Sequence, residues 1–216
     1  MMSTAIVREK IRIGIADSLE EEGFIYIRSN ERIMRKSQIG FDVIHITIIN
    51  AYPIFEVEIS LRTRINQVEE IVNMFMEDHM NPKYMPLTET IAISYEELTG
   101  SENNFIEIKS DYELKKAIFF CANLIRDKGF EFFNNNEDIN KVNQLKKHRI
   151  IYEHGGLSRH HNRRSLMTSL VLMKLCNDPD FDLLRYKYKE LYVPFDGEEI
   201  SGPKAIDDLI SYLENM

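Results

Sequence analysis

The chain has 216 residues, 44% of them hydrophobic and 29% charged, with nine glycines and six prolines. That balance excludes a disordered chain, and the length allows a core that needs no disulfide or metal staple. A formal charge of −8 opposes general nucleic-acid binding, which depends on neutralising phosphates.

The first residues, "MMSTAIVREKIRIG", meet charge at Arg8, Glu9 and Lys10, too early for the apolar centre of a signal peptide. No apolar run reaches the roughly 18 residues of a membrane span. Cys121 and Cys176 lie in apolar helical contexts, which predicts buried thiols in a reducing compartment. The expected location is cytoplasmic.

In chain order, residues 4–22 form a first predicted helix, with Val7, Ile11, Ile15 and Leu19 at a spacing of four and Gly23 as its stop. Arg8 and Arg12 fall close to that stripe. After "FIYIRSNERIMRK" come two strand runs, "FDVIHITIIN" and "PIFEVEISLRT". A turn at Asn50–Pro53 pairs Ile49 with Ile54 and aligns Ile44, Ile46 and Ile48 with Ile59, Val57 and Phe55 on one face. The other face then carries Val43 opposite Ser60, His45 opposite Glu58 and Thr47 opposite Glu56. A slip of one residue would exchange the faces, so the hydrophobic pattern favours this register.

"INQVEEIVNMFMEDH" predicts a helix capped by Asn66, with Glu69 closing a capping box and Val68, Ile71, Val72 and Phe75 buried. "TIAISYEEL" and "NFIEIK" predict two more strands. A helix then opens at Ser110, buries Leu114, Ala117, Ile118, Cys121 and Ile125, and stops at Gly129. "FEFFNNN" is expected as a turn whose three phenylalanines need cover. Helices follow at 137–147, about 160–177, 180–190 and 203–215, the last with Pro203 in its first turn. The fold class is α+β: an antiparallel β-meander with helices on one face, then an all-helical C-terminal third. The expected division is 1–133 and 134–216.

Phosphate-loop, dinucleotide-binding, zincin, serine-hydrolase-elbow and C-x-x-C patterns are all missing from the sequence. Asp42 with Glu56-Val57-Glu58 faintly suggests a metal-dependent nuclease, but no lysine follows, and the glutamates fit the wet side of a strand. His45 opposite Glu58 is the one cross-strand pair of catalytic residue types. A carboxylate there would raise the histidine's pKa; the pair serves equally as a surface contact. His79, at the end of the second predicted helix, is accounted for by the helix dipole.

The densest feature is basic. Residues 146–164 hold six Lys or Arg against one acid, Glu153, and four of the six histidines, His148, His154, His160 and His161. Ser158 or Asn162 can cap the helix that follows, which places Arg163 and Arg164 at its positive end. His154, Arg159, His160, His161, Arg163 and Arg164 are therefore the candidate site for an anion or a partner, with Gly155 and Gly156 permitting close approach. A solvated loop answered by the chain's own acids accounts for the same residues. A zinc site from His154, His160 and His161 has the wrong spacing, and no metal or cofactor is expected.

The order of parts resembles a group of small bacterial proteins of unassigned function. The resemblance rests on Gly23-Phe24, on Gly129 to Phe133 and on the helical tail from Leu166. It implies the same fold and a bacterial accessory role, and it supplies no site residues. The expected function is a non-catalytic protein that binds a basic partner, such as an immunity-like inhibitor of a toxin or nuclease. The alternative is an enzyme or sensor holding a phosphorylated small molecule or nucleotide at 154–164.

Overall fold

The structure is a computed structural model that describes residues 3–76, 80–101, 105–151, 163–191 and 202–216. The chain forms two compact units, one of residues 1–64 and 91–137, the other of residues 65–90 and 138–216. The helix that follows the long hairpin thus belongs with the C-terminal helices.

The first unit opens with α1 (Thr4–Ser18), capped by the Ser3 hydroxyl at the Ile6 N–H. Val7, Ile11 and Ile15 are buried as their spacing predicts. Arg12 is buried beside them because its guanidinium has partners: it donates to the Ile46 carbonyl at 3.1 Å and to Glu31 at 2.6 Å. Gly23, at φ +85°, takes a left-handed conformation open to glycine at no steric cost, and the chain turns into the sheet.

The strands β1 (Ile25–Ile27), β2 (Arg32–Lys36), β3 (Gly40–Ala51), β4 (Ile54–Ile65), β5 (Ile91–Ser94) and β6 (Ile106–Ile108) make one antiparallel sheet. The order is β1-β2-β3-β4-β5, and β6 also pairs with β4. Phe55 to Val57 of β4 face β6, and Ser60 to Thr63 face β5. Ile44, Ile46, Ile48, Val57, Ile59 and Leu61 are buried, so the face assignment drawn from alternation holds. The turn is shorter than expected. β3 ends at Ala51 and β4 starts at Ile54, and the Thr63 hydroxyl donates across the strands to Asp42 at 2.8 Å. Both observations fit a pairing displaced by two residues, an even shift that leaves every side chain on its expected face.

Other expectations need correction. The third strand run ends at Ser94, where a capping box with Glu97 starts a short helix, α3 (Tyr95–Thr99). The helix capped by Ser110, α4 (Asp111–Leu124), does not stop at Gly129. It passes through a π turn (Ile125–Gly129) into α5 (Phe130–Asn136), so "FEFFNNN" is helical. Gly129 is there for space: an added Cβ would lie 2.8 Å from the Leu61 Cδ1. Gly14 plays the same part between α1 and α4, where a Cβ would meet Ile118 Cδ1 at 2.7 Å. The phenylalanines find cover around Arg35, whose guanidinium carbon lies 5.1, 4.8 and 5.1 Å from the ring centroids of Phe24, Phe130 and Phe133. Arg35 also pairs with buried Asp42 at 2.8 Å, a combination of cation–π and ionic contacts that holds the charge inside. Burial raises the Asp42 pKa, and the bonds from Arg35 and Thr63 offset part of that rise.

The second unit contains α2 (Asn66–Met74), a 3₁₀ turn (Pro82–Leu87), α6 (Ile139–Ile151), α7 (Arg163–Leu175), α8 (Phe181–Leu191) and α9 (Gly202–Glu214). Helix α7 is its centre. Residues Leu166 to Met173 are all buried, and α7 touches α2, α6, α8 and α9. The expected capping box of α2 is absent: Ile65 occupies the cap position, with no side-chain cap bond. Glu69 instead points into the helical core. Cys121 and Cys176 are free thiols, and burial pushes Cys121 up to about 12.

Candidate functional site

Of the six basic-segment candidates, His154, Arg159, His160 and His161 lie outside the described residues, as does His79. Arg163 and Arg164 open α7, as the sequence predicts, but they are directed into the protein. Arg163 is 2% exposed. Arg164 forms an ion pair with Glu69, whose side chain is 0% exposed, and donates to Asn73 Oδ1 at 2.9 Å. Asn73 is itself fixed by donating to the Met85 carbonyl at 3.0 Å. The α7 start thus closes onto α2 through a buried ionic contact.

Two lysines of α6 extend this region. Burial pushes the Lys146 ammonium down to about 8; Glu69 opposes the shift, and Arg149 and Arg164 add to it. Lys147 takes a separate set of acids, Asp178 at 2.9 Å and Asp180 at 2.5 Å. Burial acts to lower its pKa, but the two carboxylates outweigh burial and raise it. Asn143 donates to the same Asp178 at 2.6 Å. Each of these contacts ties one helix or loop of the second unit to another.

His45 is half-buried, and its pKa falls to about 4. Burial is the main cause, followed by the positive charges of Arg62, Arg32 and Arg12. That direction is opposite to the one a carboxylate would impose, so the expected His45–Glu58 pair does not govern the ring. The displaced pairing of β3 and β4 explains this, because it removes Glu58 from the position directly opposite. Arg62 instead bonds the Ser60 hydroxyl at 3.1 Å.

A different feature of the first unit has the form of a binding surface. A cleft of about 310 Å³ lies between α1 and β1, lined by Ile13, Ala16, Asp17, Glu20, Phe24, Ile25, Tyr26 and Arg28. Positions 13, 16 and 17 share one face of α1 beside the buried stripe, and Glu20 lies in the turn that follows the helix. Ala16 and Phe24 form an apolar floor, and Ile25 projects from the strand with 59% of its surface exposed. The charges are unequal. Arg28 is held by Glu9 at 2.6 Å, whereas Asp17 and Glu20 make no ion pair or side-chain hydrogen bond among the described residues. Sequence reading passed over both acids because nothing in their local pattern is unusual. The available signal was the second apolar-to-acidic face of α1.

Among the described residues, no cluster of three or more His, Cys, Asp or Glu is placed to hold a metal, and no helix is long and apolar enough to cross a membrane. No family model, curated protein or solved structure matches the chain.

Proposed function

We propose that the protein is a non-catalytic cytoplasmic binding protein that engages a basic protein partner, as an immunity-like inhibitor of a basic toxin or nuclease would. The observation that carries this reading is the α1–β1 cleft, where two uncommitted carboxylates border an apolar floor. Apolar area supplies affinity and unpaired rim charges supply orientation and association rate, and a basic surface answers both carboxylates. The net charge of −8 draws the same class of partner from a distance.

The test is capture from the native host with the full chain and with Asp17→Lys/Glu20→Lys. A stoichiometric basic partner is expected on the parent, to be lost on the variant, and its association should slow as salt rises. If the variant retains the partner in full, the cleft is not the interface; if the parent captures no stoichiometric partner, the reading fails.

The alternative is a phosphorylated ligand or nucleotide near 154–164, where residues 146–164 hold six Lys or Arg against one acid. Nucleotides and sugar phosphates should then raise the melting temperature, and Arg159→Ala should abolish the shift without touching the Arg164–Glu69 pair. No shift from any of these ligands removes this alternative.

A further inference from the structure

We infer that β1 receives an extended basic segment of the partner as an additional strand, with alternate side chains of that segment facing Asp17 and Glu20. This rests on the binding function proposed above and specifies its mode. Strand β1 ends the sheet order and, among the described residues, pairs with β2 alone, through Ile25–Met34, Tyr26–Ile33 and Ile27–Arg32. An end strand presents the outward N–H and C=O groups of alternate residues, and proteins guard such edges with lysine, proline, a bulge or a covering segment.

The sequence of β1 is Ile-Tyr-Ile, with no charge and no proline. At the opposite edge β6 carries Glu107, paired at 2.8 Å with the Lys109 that follows it, whereas β5 (Ile-Ala-Ile-Ser) is uncharged like β1. Beside β1 lies the cleft, so an incoming strand would run along a trough with α1 as its wall. Side chains alternate along a strand, so one set would face α1 with Ala16 and Phe24, while the other would lie beside the exposed Ile25 on the opposite face of the sheet. Asp17 and Glu20 are the groups waiting on the α1 side, and lysine or arginine is the complement. Strand addition takes affinity from main-chain bonds and specificity from such alternate contacts.

The experiment uses the ¹⁵N-labelled full chain and two synthetic probes. One is an eight-residue peptide of alternating lysine and valine; the other is the same peptide N-methylated at every second residue, which removes main-chain donors and keeps the charge. The unmodified peptide is expected to shift the Ile25, Tyr26 and Ile27 amides and slow their hydrogen exchange. N-methylation should weaken binding about tenfold, the effect of one or two lost hydrogen bonds. Asp17→Asn/Glu20→Gln should weaken it by a similar factor. Ile25→Lys, at an exposed position that leaves the β1–β2 pairing in place, should abolish the shifts while melting at the parent temperature.

Equal binding of both peptides overturns strand addition and leaves the charge-based interface standing. Shifts confined to residues outside β1, or no binding by either peptide, also overturn strand addition. The host capture with Asp17→Lys/Glu20→Lys then decides separately whether the protein binds a basic partner at all.

Discussion

Replacing Arg164 with alanine isolates the energetics of the buried contact at the start of α7. Glu69 has no exposed side-chain surface, and Arg164 retains 18%. Removing the cation leaves a carboxylate in the helical core with only the partial attraction of Lys146. Breaking a buried pair in this way costs about 3–5 kcal/mol, far above the value of a surface pair.

Urea unfolding of parent and variant at pH 7 measures the deficit. Glu69→Leu/Arg164→Met should recover to within about 2 kcal/mol of the parent, because neither charge is left stranded and only Asn73 loses a partner. A deficit under about 1 kcal/mol at pH 7 would refute the reasoning.

Three further outcomes follow from the packing and the charges. Gly14→Ala should cost about 1–3 kcal/mol in urea unfolding through overpacking against Ile118, and Ile118→Val in the same chain should restore part of it. The His45 pKa of about 4 lies below its ordinary value of 6.5, so between those values the unfolded chain binds more protons and stability falls on acidification. His45→Asn should flatten that fall, and a His45 ring titrating near 6.5 by NMR would contradict it. Lys146 has the same sign at higher pH: with the folded value near 8 against 10.5, its unfavourable contribution diminishes as pH rises from 8 to 10.5. Lys146→Met should stabilise the protein at pH 7, by an amount that declines toward pH 10.5.

What the sequence made legible was whatever depends on period and local chemistry. The hairpin faces follow from the alternation of Ile44, Ile46 and Ile48 with His45 and Thr47. The Ser110 cap of α4 follows from a serine three residues before Glu113, and the long apolar run from Leu166 marks a central helix. The same local logic erred where a distant partner claims the residue. Asn66-x-x-Glu69 reads as a capping box, yet Glu69 is taken by Arg164, 95 residues away. Gly129 reads as a helix stop, yet the chain stays helical there because the glycine makes room for Leu61. Ser94-x-x-Glu97 is a true capping box hidden by the alternation of the strand before it.

Charge density along a chain does not by itself mark a binding site. A cluster attracts a ligand only to the extent that its charges are not already answered within the fold. Arg164 is answered by Glu69 and Asn73, and Lys147 by Asp178 and Asp180, so cations prominent in the sequence connect helices of the second unit. Asp17 and Glu20 stand out in no window of the sequence, yet in the folded first unit they line a cleft whose Arg28 is paired with Glu9, and neither makes an ion pair among the described residues. Desolvating them would cost free energy that an incoming positive group offsets, so under the proposed function the partner's charge selects what binds at the cleft.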